Sequence, residues 1–76
     1  MQRYYFPIIH NGRRLQADEA GEMFGSADLA GQYGACVARD IGSDPDYDHA
    51  RGTVVIVADG AHTEIARHVV VSRFRH

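Results

Sequence analysis

The 76-residue sequence predicts an α+β fold of order β-β-α-β-β, a two-layer sandwich with one helix on a four-stranded antiparallel sheet. Three observations support this prediction. Only residues 26–41 repeat their apolar side chains at the spacing of a helix. Asn11-Gly12 and Asp59-Gly60 are pairs typical of hairpin turns. Residues 53–58 are almost all β-branched or small and apolar, as expected of a strand. The whole chain, residues 1–76, is expected to form one domain.

The predicted helix begins after Ser26, whose hydroxyl can accept a hydrogen bond from a free amide in the first turn. Gly42 offers a C-cap at the other end. Gly31 and Gly34 each cost about 1 kcal/mol against alanine in a helix interior, so we expect another backbone to lie close to them. One apolar stripe is expected to face the sheet, and its members are Leu29, Tyr33, Cys36, Val37 and Ile41.

Four segments are predicted to form the sheet, and they are residues 3–9, 13–17, 53–58 and 63–71. If the helix returns the chain across the sheet, the strand order is 2-1-3-4. Pro7 lacks an amide hydrogen, which predicts an edge position, a bulge or a lost ladder bond in the first strand. Residues 18–25 and 42–52 are expected to be polar connections.

The third predicted strand has apolar side chains on both faces, although one helix covers only one face of a sheet. A second copy of the chain is the simplest cover for the other face, and it can either stack on that face or join a sheet edge. We therefore expect a homodimer. Its predicted interface residues are Val54, Ile56 and Val70.

Chain length and cysteine content favour the same conclusion. A domain of this size buries only roughly 60% of the surface that its unfolded chain exposes. The single cysteine, Cys36, excludes an intramolecular disulfide and favours a reducing compartment. No signal peptide or membrane-spanning run is visible, so we expect a cytoplasmic protein without a membrane partner. A partner chain is the expected extra source of stability.

Charge is unevenly distributed along the chain, although the net charge is only −2. Residues 15–50 contain eight acidic residues and one basic residue, Arg39, whereas the flanking segments contain seven arginines and two acids. The two halves can simply attract each other. The arginine-rich strands also resemble a surface for single-stranded nucleic acid, in which aromatic rings stack on bases. The residues predicted for that surface are Arg3, Tyr5, Arg13, Arg14 and Arg67.

Two groups of side chains resemble metal sites. Asp44, Asp46 and Asp48 alternate like the first ligands of a calcium loop, but that loop also needs a glycine and a glutamate that are absent here. His62, Glu64 and His68 are expected on one face of the last strand, where they are too far apart to share an ion without another element, such as His10 or His49. We therefore expect no metal and no cofactor.

Catalytic motifs are also missing from the sequence. There is no glycine-rich phosphate loop, no Gly-x-Ser-x-Gly and no Cys-x-x-Cys. Cys36 lies on the predicted apolar stripe, where a free cysteine usually behaves as a small hydrophobic residue. A cysteine nucleophile needs an exposed, electropositive setting and a nearby base. We therefore expect a protein that is not an enzyme and has no catalytic residues.

The chain resembles a family of very small uncharacterised proteins from rhizobia-like alpha-proteobacteria, catalogued as a domain of unknown function. The resemblance implies a bacterial origin and a fold but no activity. It covers nearly the whole chain, except that Pro7 and the glycine-interrupted helix depart from the pattern. The matching motifs are Arg3-Tyr4-Tyr5-Phe6, Asn11-Gly12, Asp18-Glu19-Ala20-Gly21, Ala38-Arg39-Asp40-Ile41 and Asp59-Gly60.

A second resemblance concerns the opening Tyr5-Phe6-Pro7-Ile8-Ile9 run, which is similar to the start of HicB-type antitoxins. That family has a small α/β domain that binds a toxin, but its Pro-Asp-Leu-Pro-Gly-Cys stretch is absent here. Our interpretation of the sequence is a non-enzymatic interaction or binding module that forms homo-oligomers. The alternative is a nucleic-acid-binding or antitoxin-like regulator that uses the basic sheet surface.

Overall fold

The computed structural model describes residues 1–16, 20–47 and 52–71, with only the backbone of residues 14–16. This part of the chain contains one helix and six strands in two antiparallel sheets. In chain order the elements are β1 (Gln2–Tyr4), β2 (Ile8–His10), β3 (Arg13–Gln16), β4 (Glu22–Phe24), α1 (Ala27–Gly42), β5 (Thr53–Ala58) and β6 (Glu64–Val69). One sheet has the order β3-β2-β5-β6, and the other pairs β1 with β4.

The α+β class is confirmed, but the single four-stranded sheet is not confirmed in that form. A two-stranded sheet is also present, because the predicted polar connection contains β4, which pairs with β1. Tyr4 of β1 and Phe24 of β4 contact each other, with ring centroids 6.2 Å apart. The short strand β4 is therefore part of the folded structure and not a simple linker.

Pro7 divides the first predicted strand without changing its register against β5. Tyr5 and Ala58 exchange two backbone hydrogen bonds of 2.8 Å, and the pairs between β2 and β5 continue the same alignment. The carbonyl of Pro7 accepts a hydrogen bond from the amide of Ile56, but proline has no amide hydrogen to return it. Of the three outcomes predicted for Pro7, the lost ladder bond is the one observed.

Both predicted turns are present. Asn11 and Gly12, between β2 and β3, have φ values of 51° and 79°, as the type I′ hairpin turn requires at both central positions. Between β5 and β6, the carboxylate of Asp59 accepts hydrogen bonds from the amides of Ala61 and Thr63 at 2.9 and 3.0 Å. These short-range interactions fix the two hairpins of the four-stranded sheet.

The two ends of α1 differ in how well the sequence predicts them. The hydroxyl of Ser26 accepts a hydrogen bond from the amide of Leu29 at 3.2 Å, which confirms the N-cap. The predicted C-cap at Gly42 is wrong, because Gly42 is the last helical residue and Ser43 caps the helix. The hydroxyl of Ser43 donates to the carbonyl of Arg39 at 2.8 Å. Gly42 instead allows close contact with the backbone of Val71.

Small residues form the face of α1 that packs on the sheet, so the predicted apolar stripe is wrong in phase. Leu29 and Tyr33 are 50% and 40% exposed, and Cys36 is exposed as well. Val37 and Ile41 are half-buried beside the core. Small side chains let the helix lie closer to the sheet than leucine and tyrosine would allow. The buried residues recur every fourth position and are Ala30, Gly34, Ala38 and Gly42.

The core lies between this helical face and the centre of the four-stranded sheet. Val55 and Val57 of β5 are completely buried beneath α1. An aromatic cluster closes one end of the core, where the ring of Phe6 contacts Tyr33 and Phe24 at centroid distances of 4.9 and 5.9 Å. The buried members of the core are Tyr4, Phe6, Ala30, Ala38, Val55, Val57 and Val70.

The contact between Gly34 and Val57 predicts opposite effects for two glycine substitutions. A Cβ at Gly34 would lie 2.5 Å from Cγ2 of Val57, whereas a Cβ at Gly31 would meet nothing within 4 Å. Both alanine variants gain about 1 kcal/mol of helix propensity, but overpacking costs typically about 1–3 kcal/mol. We therefore expect the free energy of unfolding of Gly34→Ala to be lower than that of Gly31→Ala by about 1–3 kcal/mol. Urea unfolding of dilute protein would measure this difference. Equal stability of the two variants would contradict the close packing of α1 on β5.

Candidate interaction surface

The face of the sheet opposite α1 is the candidate interaction surface, and we call it the open face. Strand register defines its members, because residues directly opposite each other on paired strands share a face. Tyr5 lies opposite Ala58, and Val54 lies opposite Val69. α1 packs against the other face, over β5 and β6. By alternation, its members are Arg3, Tyr5, Pro7, Ile9, Val54, Ile56, Ala58, Glu64, Arg67 and Val69.

Burial varies strongly across the open face. Ile56 at its centre is only 5% exposed, and Ala58 is 6% exposed. Val54 is half-buried, whereas Val69 on the outer strand β6 is 64% exposed. The exposed apolar surface is therefore concentrated along β6 and not at the centre of the sheet.

The interface residues predicted from the sequence do not all lie on the open face. Val54 and Ile56 do, but Val70 is 4% exposed and belongs to the core beneath α1. The register explains the error, because Val54 pairs with Val69. Val70 lies one residue further along and therefore points to the opposite face.

Three of the five residues predicted to form a ligand surface share the open face: Arg3, Tyr5 and Arg67. The guanidinium of Arg3 donates a 2.6 Å hydrogen bond to the carbonyl of Ala20. The ring of Tyr5 stacks on His62, with centroids 4.9 Å apart and planes inclined by 28°. This stack beside an arginine is the part of the surface best suited to a flat, anionic ligand.

The remaining two predicted ligand residues lie elsewhere or outside the described side chains. Arg13 is exposed and pairs with His10. The ring Nδ1 of His10 is 3.1 Å from the hydroxyl oxygen of Thr53 on the helix side of the sheet. Arg13 is therefore separated from Arg3 and Tyr5. Arg14 pairs with Ile9 through its backbone, and its side chain is outside the described part of the structure.

Arg67 is engaged by a neighbouring carboxylate. Its guanidinium donates two hydrogen bonds to Glu64, at 2.8 and 3.0 Å. The hydrogen bonds from Arg67 lower the pKa of the Glu64 carboxyl below its ordinary value, and the charge of Arg67 acts in the same direction. The same hydrogen bonds raise the pKa of Arg67. An anionic ligand would have to compete with Glu64 for this guanidinium.

The histidines predicted on one face of the last strand are not together. His62 lies before β6 with a φ of 64° and stacks on Tyr5, whereas His68 lies on the helix side against Gly34. The register of β6 shifts at Ile65, and the extra residue of this bulge sends Glu64 and His68 to opposite faces. Within the described side chains, no three histidine, cysteine, aspartate or glutamate residues are grouped as metal ligands.

The other predicted metal and thiol features are separate from the open face. The carboxylate of Asp44 accepts a hydrogen bond from the amide of Asp46 at 2.9 Å, which forms a local turn. Asp48 and His49 lie outside the described residues.

Cys36 is exposed on α1 and not buried as predicted, because the packed face of the helix is the small-residue face. The residues predicted for the interface did not include Val69. Its pairing with Val54 places it on the open face, but this pairing requires the strand register.

The fold and the surface define a small α+β protein whose helix, among the described residues, covers one face of the main sheet and not the other. The family model for a domain of unknown function, DUF6894, matches residues 3–70. The chain therefore belongs to this family, which confirms the resemblance to a family of unknown function. The match does not show a bacterial group of origin or a relation to HicB-type antitoxins.

Comparisons with curated proteins and with solved structures gave no match. Among the helices of the described residues, none is long and apolar enough to cross a membrane.

The ion pair on the open face predicts a change in titration. In Arg67→Gln, Glu64 loses its charged hydrogen-bond donor, so the pKa of Glu64 should rise towards its ordinary value. Carboxyl carbon chemical shifts followed by NMR across the acidic range would measure it. The matched variant Arg13→Gln, on the other face, should leave that titration unchanged. An unaltered Glu64 titration in Arg67→Gln would show that the two side chains are not paired in solution.

Proposed function

We propose that this protein is a non-enzymatic interaction module that works as a homo-oligomer in the cytoplasm. The observation that supports this proposal is the exposed apolar surface along β6 and just after it. Val69 and Val71 are 64% and 69% exposed, and Ile65 is 40% exposed. Large apolar side chains grouped in this way usually mark an interaction site. The single cysteine favours a reducing compartment.

A second argument concerns the helix. α1 contains glycines at positions 31, 34 and 42, and glycine within a helix costs about 1 kcal/mol against alanine. A short chain without a disulfide has few ways to offset such costs, and association with a second copy is one of them. Self-association would also remove the exposed valines from water.

The proposal predicts a concentration-dependent mass. In sedimentation equilibrium, the chain should move from its monomer mass of 8.4 kDa towards an integral multiple of it as the concentration rises through the micromolar range. Val69→Arg should shift this transition to higher concentration, because it places a charge in the exposed apolar surface. Asp44→Arg, an exposed change in the loop after α1, serves as the control. A mass of 8.4 kDa at every concentration would contradict self-association.

A second candidate function is binding of single-stranded nucleic acid by a regulator, of the antitoxin type or another. The stack of Tyr5 on His62, with Arg3 on the same face, favours it. Aromatic stacking contributes about 1–3 kcal/mol per base in such proteins. The negative net charge and the engagement of Arg67 by Glu64 oppose it, so we place it second.

Arg3 and Arg13 offer a matched test of this second function. If the open face binds nucleic acid, Arg3→Glu should weaken the salt-sensitive binding of a labelled oligonucleotide in fluorescence anisotropy. Arg13→Glu carries the same charge change on the other face and should have a smaller effect. Tyr5→Ala should also weaken binding, by the loss of one stacked base. If the unmodified protein binds no oligonucleotide at low salt, this function is excluded.

A further inference from the structure

The outer edge of β6 has backbone groups available for another strand. The amide of Val70 donates to the carbonyl of Thr53 at 2.9 Å. The backbone N–H and C=O groups of Val70 and His68 therefore point towards β5. The direction of these groups alternates along an antiparallel strand. The backbone N–H and C=O groups of Arg67 and Val69 therefore point away from β5, towards the free edge. No strand pairs with this edge among the described residues. A free edge of this kind is a template for pairing with another chain.

A groove runs beside this free edge, between β6 and the adjacent side of α1. It consists of two adjoining shallow, open depressions of about 490 and 460 Å³ that share Ala35 and His68. Gly31 and Asp28 line the groove near the start of the helix, and Arg39 lines it near the end. The Nε2 atom of His68 is buried there without a hydrogen-bond partner. The helix thus leaves space above the position of one additional strand.

Gly31 is the helical glycine that internal packing does not explain. Gly34 is required by Val57 and Gly42 by Val71, whereas a Cβ at Gly31 would meet nothing within 4 Å. Gly31 and Ala35 lie on the groove side of α1. Small residues on one side of a helix allow a second helix to approach closely.

We propose that the groove and the free edge are occupied by a second copy of this chain. In this arrangement β6 pairs antiparallel with β6 of the second copy around a two-fold axis, and the two α1 helices lie side by side. α1 contacts both β5 and β6, so it lies over the space between them. With strands about 4.8 Å apart, the two helices are then roughly 10 Å apart, a distance typical of packed helices.

Charge complementarity supports a second copy as the occupant. A two-fold axis runs the two helices antiparallel, and it places Asp28 of each copy opposite Arg39 of the other. The point midway between these residues lies next to Gly34. A Cβ at Gly34 would lie 3.2 Å from Cδ2 of His68, so His68 lies beneath that midpoint.

The strand is compatible with the same axis. Hydrogen-bonded pairing of the free edge requires outward-facing residues to lie opposite each other. An axis at His68 places Arg67 opposite Val69 of the second copy, whereas an axis at Arg67 would place two arginines opposite each other, which is unfavourable. The charges of the helix therefore select an axis at Gly34 and His68, and the free edge of β6 is compatible with it. This arrangement rests on the proposed self-association and specifies its geometry.

Adjacent exposed residues of α1 provide the first test. Ala35 faces the groove, and Cys36 is turned by about 100° towards solvent. In sedimentation equilibrium, Ala35→Arg should weaken association by roughly tenfold or more because it fills the space needed by the second helix. Cys36→Arg should associate as the unmodified chain does. If Ala35→Arg associates as strongly as Cys36→Arg, this geometry is overturned while self-association itself still stands.

Exchange of charges between copies provides a second test that does not depend on steric disruption. Asp28→Arg places two arginines together at each contact, and Arg39→Asp places two aspartates together. Each variant alone should associate roughly tenfold more weakly than the unmodified chain. An equimolar mixture should restore association, because every contact between unlike copies again pairs opposite charges. Circular dichroism of each variant checks that α1 is intact. A mixture that associates no better than its components would overturn the antiparallel helix pair.

If the unmodified chain remains at 8.4 kDa throughout, both the proposed function and this arrangement are excluded. If it associates and the two helix tests fail, only the arrangement is excluded, and stacking of the open faces or pairing at another sheet edge then accounts for the association.

Discussion

Close packing of α1 on β5 is the constraint on which the rest of this structure depends. The helix lies so near the sheet that Gly34 has no room for a side chain above Val57. Larger side chains are therefore excluded from the contact and occupy its flanks. Tyr33 is one of them, and its ring meets Phe6 and Phe24 at the edge of the core. The position of the helix thus determines where β4 is attached through Phe24.

Some parts of the fold follow from local chemistry and are predictable for that reason. The cap at Ser26 and the turns at Asn11-Gly12 and Asp59-Gly60 depend on a few neighbouring atoms, so the residue types suffice to place them. The phase of α1 depends instead on how closely the helix approaches the sheet. Reading the largest apolar residues as the buried face put Leu29 inward, whereas the contact is made by residues that lack bulk. Hydrophobicity alone contains no information on that distance.

The residues of the candidate surface also differ in how far local sequence predicts their position. Alternation along the first strand is sufficient to group Arg3 with Tyr5 on one face. Across strands, grouping requires the register, which depends on turn length and on bulges. One extra residue at Ile65 separates Glu64 from His68, and a pairing offset of one residue moves Val70 from the surface to the core. The strand β4 has only three residues, too few for a periodic pattern to stand out.

The missing donor at Pro7 has a consequence for how the structure opens. Its position lies between the Tyr5–Ala58 pair and the pairs of β2 with β5. Here the sheet is held by one hydrogen bond where two would normally form. The β1–β4 ribbon is therefore attached to the main sheet through Tyr5 and through the aromatic cluster. We expect a weak point of this kind to lower the local stability of the ribbon relative to the main sheet. The amides of the ribbon should then exchange with solvent without unfolding of β5 and α1.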